Sequence, residues 1–393
     1  MSLPASVLVV GASAGGLSTT EALRRKGFDG RITLLGGERH LPYDRPPLSK
    51  QVLSGAWEPD RAQLRPEPVL QALDAEFVLG DPAAGLDAAS RTVRTASGRL
   101  LEADAIVIAT GVRARTLPGQ GELAGVHTVR TLDDAVALRA ELAASRRLVV
   151  VGDGVLGAEV AATGRGLGLD VTLAGPQSVP MESQFGPWAG GLLGEFHAEH
   201  GVGLRLGTGV SGLVAESGRV SGVRLETGQE LPADVVVVAI GGVPATDWLA
   251  GSGLTCENGV VCDDRCRAAD GIWAVGDVAR WHHRGLDAPL RLENRTNATQ
   301  QGLAVASNIL GADAPYSPVP YFWTDQYDAK VMVHGVVPAG AEAEVVDGDV
   351  ASRRFVALFR SHGVARGVLG WNMPKQTRLH RREVADVLTP ATV

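Results

Sequence analysis

Three glycines spaced Gly152-x-Gly154-x-x-Gly157 follow the apolar, β-branched run Leu148-Val149-Val150-Val151 and open a segment of good helix formers, Ala158-Glu159-Val160-Ala161-Ala162. The chemistry this suits is dinucleotide binding. The first glycine allows a tight turn, the second lets a pyrophosphate approach, and the third lets helix pack on strand. The ligand's negative charge then meets the N–H groups and positive dipole end of a helix. A second copy lies about 140 residues earlier, with Gly11, Ser13 and Gly16 after Val7-Leu8-Val9-Val10. Ser13 replaces the middle glycine, but it is small and can itself hydrogen-bond phosphate. One such copy is a weak signal. Two, each between a strand and a helix, point to two dinucleotide sites, with Ala14 and Leu156 counted among the contacts of their respective loops.

The elements that must position these loops are legible from hydropathy. Each copy is followed by another strand-like run, residues 31–35 and 170–173, so each reads as a right-handed βαβ unit in a parallel sheet. Further buried strands are expected at residues 105–109, ending in Thr110-Gly111, at 234–240, ending in Gly241-Gly242, and at 271–275, ending in Gly276-Asp277. From about Pro318 the pattern changes to alternation, as in residues 330–334 and 355–359, which predicts antiparallel strands. The fold class is α/β: two Rossmann-like nucleotide-binding domains plus a C-terminal α+β domain. The division expected is 1–115 with 240–318 for one nucleotide, 116–239 for the other, and 319–393 for the third domain.

The 393 residues carry a net charge of -7, with 45% hydrophobic, 21% charged and only 5% aromatic residues. That balance argues against disorder, a dedicated nucleic-acid binder or a basic membrane-surface protein. The 50 glycines imply many tight turns and close backbone approaches. No basic residue precedes the apolar run at 7–10, so it reads as a strand and not a signal peptide. The apolar stretch at 235–243 falls far short of the roughly 20 residues of a membrane helix. A soluble, cytoplasmic protein is expected, a monomer or weak homodimer. Three cysteines, Cys256, Cys262 and Cys266, form no disulfide framework and are expected to be small buried hydrophobes. No C-x-x-C pair or His/Cys cluster suggests a metal or iron–sulfur site, and His282-His283 is expected on a surface loop. No Gly-x-Ser-x-Gly elbow suggests a hydrolase.

Longer motifs sharpen the reading. They are Leu41-Pro42-Tyr43-Asp44-Arg45-Pro46-Pro47-Leu48-Ser49-Lys50, Arg130-Thr131-Leu132-Asp133-Asp134-Ala135, Glu159 after the second fingerprint, Gly276-Asp277-Val278-Ala279, Thr296-Asn297-Ala298 with Gln301-Gly302, and Tyr321-Phe322-Trp323-Thr324-Asp325-Gln326-Tyr327-Asp328. Over essentially its whole length the chain resembles the FAD-dependent pyridine-nucleotide oxidoreductases of the ferredoxin reductase type, which includes the dioxygenase-system reductases. The resemblance implies FAD in the N-terminal unit and NADH, with NADPH possible, in the mid-chain unit. It places Arg45, Lys50, Ala83, Arg130, Asp277 and Thr296 at FAD contacts, with Asp277 on the ribityl chain and Trp323 near the isoalloxazine. It makes Lys50 and Glu159 an ion pair at the nicotinamide site. Disulfide reductases of this overall fold carry a redox-active cysteine pair on the helix after the first unit, and the corresponding stretch here, 46–50, has none. Electrons would therefore leave the flavin directly, singly, to a [2Fe–2S] ferredoxin serving a cytochrome P450 or Rieske oxygenase.

Three departures accompany the resemblance. The strand after the second fingerprint ends Leu173-Ala174-Gly175-Pro176-Gln177-Ser178, with neither an acid to read a ribose 2′-hydroxyl nor a cation for a 2′-phosphate, so weak or unselective coenzyme binding is expected. Gly37 stands where an acid is common, leaving Glu38 to serve FAD's adenosine ribose. Arg295 replaces an apolar or aromatic residue beside the flavin, where a cation could raise its potential, order a partner or face water. Residues 319–393 carry nine Lys/Arg against eight Asp/Glu, and Arg378, His380, Arg381 and Arg382 cluster. This patch could steer an acidic ferredoxin or form an ordinary solvated helix. Two other functions fit the same residues: an NADH-sensing flavoprotein resembling apoptosis-inducing factor, or a reductase of oxygen or a quinone-like acceptor.

Overall fold

The computed structural model describes residues 3–388. Strand β1 (Ser6–Val10) is buried on both faces, as its unbroken apolar run requires, and it runs into helix α1 (Ala14–Arg25). Strands β2 (Arg31–Gly36) and β3 (Ala105–Ile108) flank β1, both parallel to it. The chain then leaves through a short strand, Val112–Ala114. Thr131 caps the helix Leu132–Leu142 in a capping box with Asp134, whose carboxylate also accepts the backbone N–H of Arg130 at 3.0 Å. The motif at 130–135 is thus a helix start that fixes Arg130 at its edge.

The mid-chain unit repeats the first. Strand β4 (Arg147–Val151) leads into α2 (Val155–Gly166), then β5 (Asp170–Gly175) and α3 (Glu182–Glu199), which kinks at Gly186 and Pro187. Strand β6 (Val235–Val238) closes a five-stranded parallel sheet against β4. The duplication extends further, because each unit also carries a three-stranded antiparallel sheet, from residues 83–102 and 210–232. The chain returns through Gly242–Pro244, paired antiparallel with Val112–Ala114, so exit and re-entry form one ribbon. Strand β7 (Ile272–Ala274) rejoins the first sheet beside β3, and α4 (Arg295–Ile309) packs on α1. The approach of those helices is close: a Cβ on Gly302 would lie 2.9 Å from the carbonyl oxygen of Gly15.

The alternating sequence beyond Pro318 forms an antiparallel sheet of β8 (Tyr321–Gln326), β9 (Ala329–Gly335), β10 (Glu342–Asp349), β11 (Arg354–Ser361) and β12 (Val364–Trp371), followed by α5 (Pro374–Leu388). One apolar cluster joins this sheet to α3 through Phe185, Phe355, Phe359 and Trp371.

Two sequence expectations change. His283 is not on a surface loop but buried in a strand, Ala279–His283, where its Nε2 lies 2.8 Å from the Pro318 carbonyl and desolvation lowers its pKa. The adjacent His282 is exposed, because neighbouring strand residues face opposite sides. Cys262 and Cys266 are buried, but Cys256 is exposed in the turn before residues 260–262.

The fingerprint turns match in detail. Gly11 (φ 125) and Gly152 (φ 115) press on the backbone of Ala109 and Ala239, and a Cβ on Gly16 or Gly157 would overlap the carbonyl oxygen of Gly11 or Gly152. Gly154 faces open space. Gly157→Ala is therefore expected to lower the unfolding free energy by about 2 kcal/mol. Gly154→Ala is expected to stay within about 0.5 kcal/mol. Urea unfolding of the two apoproteins checks this, and equal losses would refute the packing account.

Candidate functional site

A cleft of ≈ 800 Å³ lies where the two nucleotide-type units meet the C-terminal sheet. Its walls take Ser13, Ala14 and Arg45 from the first unit, Gly154, Leu156 and Glu159 from the second, and Tyr321 and Trp323 from β8. Thr110, Gly111, Arg130, Gly276, Asp277 and Arg295 complete the floor.

At the first fingerprint, Gly11 N–H donates to Leu35 at 2.7 Å and sets the turn from which α1 starts. Arg45 reaches back over it. Its Nη1 lies 3.1 Å from Ser13 Oγ and its Nη2 2.8 Å from Glu38 Oε1. Tyr43 donates to the other oxygen of Glu38 at 2.5 Å, and the Arg45 guanidinium sits over the Tyr43 ring, 5.1 Å from its centroid. Burial pushes the Tyr43 hydroxyl's pKa well up, so it stays a donor. Arg130 approaches Asp277 at 3.7 Å. Burial and the charge of Arg45 depress the pKa of Arg130, while burial raises that of Asp277 against the pull of Arg130. Arg45 Nε is buried without a protein partner. Two guanidiniums near an open glycine turn, one with an unused donor, suit a polyanion such as the FAD pyrophosphate. Gly111 lets Arg130 in, since a Cβ there would sit 2.9 Å from its Nη2.

The short 3₁₀ turn Pro46–Ser49 ends at Lys50, whose Nζ lies 2.6 Å from Glu159 Oε2 on α2. The side chains are only 12% and 7% exposed, so this is a buried pair that must be hydrogen-bonded to persist. It is. Ser49 donates to the same oxygen at 2.6 Å, and Thr324 of β8 donates to Oε1 at 2.8 Å. Thr163 of α2 also donates to the carbonyl of Ser49 at 2.7 Å, fixing the turn to the helix.

At the second fingerprint the missing acid has a substitute. Asp153, between the first two glycines, is 4% exposed and turns its carboxylate onto the end of β5. A Cβ on Gly175 would collide with that carboxylate, so glycine at 175 is what makes room for it. Asp153 accepts from Gln177 N at 2.8 Å and Gln177 Nε2 at 2.6 Å. Negative charge thus stands at the end of β5 after all, supplied from the loop, not from the strand.

The structure brings most of the expected residues to the cleft and leaves some behind it. Gly11, Gly16, Gly152 and Gly157 shape the turns without lining the cavity, and Glu38 connects only through Arg45 and Tyr43. Thr296 lies in the first turn of α4, and Ala83 opens a side strand, neither of them on the cleft wall. Arg295 is paired, with Asp44 at 2.6 Å and with Thr299, so it ties the 41–50 segment to α4. Ser49, Thr324, Asp153 and Asp44 carry much of the geometry and were not singled out from sequence. Ser49, Asp44 and Thr324 sit inside the quoted motifs, whereas Asp153 has no local signal because its role depends on the absence of a side chain at Gly175. Among the described residues no group of three or more His, Cys, Asp or Glu is placed to hold a metal, and no helix is long and apolar enough to cross a membrane.

Comparison with known proteins agrees with this geometry. Residues 5–302 match the pyridine nucleotide-disulphide oxidoreductase family, and 321–391 match the reductase C-terminal domain. The chain is 37% identical to rhodocoxin reductase of Rhodococcus erythropolis over 389 residues, covering 94% of this chain and 90% of that one. It is 39% identical over 344 residues to the benzene 1,2-dioxygenase system ferredoxin–NAD(+) reductase subunit of Pseudomonas putida, covering 86% and 82%. The crystal structure of the covalent putidaredoxin reductase–putidaredoxin complex contains a chain that superposes with a TM-score of 0.92 at 31% identity, covering 97% and 93%. Two nucleotide-type units, a third sheet closing over their shared cleft and no cysteine pair beside it therefore place this chain in the pyridine nucleotide-disulphide oxidoreductase family, as an oxidoreductase of the ferredoxin reductase type.

Proposed function

We propose that the chain binds FAD along α1 and the floor of the cleft, takes hydride from NADH at the Lys50–Glu159 end, and delivers electrons to a [2Fe–2S] ferredoxin of a cytochrome P450 or Rieske oxygenase. The observation that carries this is the buried Lys50–Glu159 pair, in the cleft that both fingerprint turns, Tyr321 and Trp323 line. FAD, when bound, accepts a hydride and releases electrons one at a time. The protein's part is placement. Arg45, Arg130 and the α1 N-terminus hold the pyrophosphate, Asp277 faces the ribityl chain, and Lys50 supplies a fixed positive charge where negative charge develops. The proposed domain division, 1–115 with 240–318, 116–239 and 319–393, is supported by the ribbon of residues 112–114 with 242–244 at the crossover. A cytoplasmic monomer or weak homodimer accords with this reading.

NADH is favoured over NADPH because of Asp153. A 2′-phosphate at the end of β5 would meet its carboxylate, while a ribose hydroxyl could donate to it. Arg378, Arg381 and Arg382 lie exposed on α5, on the same domain as Trp323, and suit an acidic partner.

Three outcomes are expected. Purified protein should be yellow and should reduce a ferredoxin faster with NADH than with NADPH, the rate falling as salt rises. Colourless protein after reconstitution with FAD, or turnover only with oxygen, would refute the assignment, and a flat salt profile would remove the steering role. Asp153→Asn should cut the NADH-over-NADPH ratio of kcat/KM by about tenfold, ~1.4 kcal/mol; an unchanged ratio in steady-state assays counts against Asp153. Lys50→Met, which strands the Glu159 charge, should lower unfolding free energy by about 3 kcal/mol, with Lys50→Met/Glu159→Gln recovering much of it. Denaturant unfolding of the single and double variants measures both.

A further inference from the structure

The hydrogen bonds do not stop at Glu159. Gln326 Nε2 lies 3.0 Å from Thr324 Oγ1, His197 Nε2 lies 2.7 Å from Gln326 Oε1, and the Tyr327 hydroxyl lies 3.4 Å from His197 Nδ1. Thr324, Gln326 and His197 are buried. The line runs from α2 into β8 and on to α3, so it crosses between the mid-chain unit and the C-terminal sheet.

Its direction follows from donor and acceptor chemistry alone. A carboxylate paired with an ammonium only accepts, so Thr324 uses its single proton on Glu159 Oε1. The Gln326 atom facing Thr324 must then be the amide nitrogen. An independent contact agrees: the same Nε2 lies 3.5 Å from Met181 Sδ, a thioether that can only accept. Oε1 is left facing His197, whose Nε2 must carry the hydrogen. The bare Nδ1 then accepts from Tyr327.

Burial, partly offset by the Gln326 bond, lowers the His197 pKa to about 4, which leaves one N–H to donate. The charged and titratable groups around this end agree. His200, just after α3, stacks on Tyr327 at 3.8 Å, Glu199 of α3 pairs with Arg353 at 2.5 Å, Arg353 lies over Phe196, and Arg165 of α2 acts on Tyr327. No carboxylate pairs with His197 among the described contacts.

We infer that His197 is a positioning residue for the ion pair: through Gln326 and Thr324, its Nε2–H fixes the polarity of a buried line that holds Glu159 as an acceptor facing Lys50 and the nicotinamide side of the cleft. Turning the Gln326 amide over, or adding a proton to Glu159, would set two donors or two acceptors face to face, so the line has one low-energy arrangement. This rests on the reading of Lys50 and Glu159 as the nicotinamide-site pair.

The first test needs no turnover. In ¹⁵N-histidine-labelled holoenzyme, with His197 assigned by loss of its signals in His197→Gln, long-range ¹H–¹⁵N spectra should show the Nε2–H tautomer, without titration, from about pH 8 to about pH 5.5. An Nδ1–H tautomer, or titration near the ordinary histidine value, overturns the proposal. The second test is the NAD+ dissociation constant with the rate of flavin bleaching by NADH. Thr324→Val should weaken binding and slow bleaching by about tenfold each. Thr324→Ser, which keeps the hydroxyl, should return both to within about twofold. If valine is silent, or serine fails as badly as valine, the hydroxyl does not position Glu159. A Glu159→Gln variant whose NAD+ affinity matches the parent's would instead refute the ion-pair reading itself.

Discussion

A lysine and a glutamate drawn out of water and held 2.6 Å apart are the constraint around which the molecule is assembled. Removing both charges from solvent costs several kcal/mol for each ion, and their attraction offsets this only when the remaining lone pairs are satisfied. Here the pair and the groups that satisfy it come from three places. Ser49 precedes Lys50 in the first unit and Thr324 comes from β8, both donating to Glu159, which belongs to the first turns of α2 in the second unit. None of these segments can shift without stranding charge. The pair therefore does for the three-part assembly what an apolar core does within each part: it makes one relative arrangement much better than its neighbours.

The units so clamped are two solutions of the same local problem. In both, a parallel strand with four consecutive apolar residues is followed by a glycine pressed onto the backbone just past a neighbouring strand, at Ala109 and at Ala239, and a later glycine lets the helix sit on the turn's carbonyl. In both, the middle position faces the cleft, as Ser13 and Gly154. The difference lies in charge. The first turn is surrounded by Arg45 and Arg130, the second by the Asp153 carboxylate. On the function proposed above, the cations would hold a pyrophosphate and the acid would meet a ribose hydroxyl, so equivalent backbones would support a tightly held group at one end and an exchangeable one at the other.

These features were unequally legible in the sequence. Strands and fingerprints were plain because they are local: an apolar run of four or five residues and a glycine spacing are dictated by backbone geometry within a dozen positions. The C-terminal sheet was legible through its alternation, and Lys50 and Glu159 through the motifs that carry them. The buried place of His283 was not, since two adjacent histidines beside a glycine look polar until the strand they form is paired. Nor was the acid at β5, because it depends on complementarity between Asp153 and an empty position at Gly175, over 20 residues away. The effect of Arg295 was hidden in the same manner. It pairs with Asp44, some 250 positions earlier, so a cation for which the sequence left flavin tuning, partner ordering and a solvent-facing place all open also ties a loop to a helix.

The C-terminal domain follows the same logic of remote partners. Its sheet could have been a lid resting on the cleft, contributing only Tyr321 and Trp323 as walls. Thr324 and Gln326 make it more than that. They alternate with Trp323 and Asp325 along β8, so the strand's period of two presents its aromatic residue to the cleft from one face and its hydroxyl and amide to Glu159 and His197 from the other. A shift of one residue in the β8–β9 register, Thr324 opposite Val331, would exchange these faces, removing the donor from Glu159 and burying the indole against α3. Pairing between two strands far in sequence from either fingerprint is thus what keeps a buried carboxylate satisfied at the centre of the molecule.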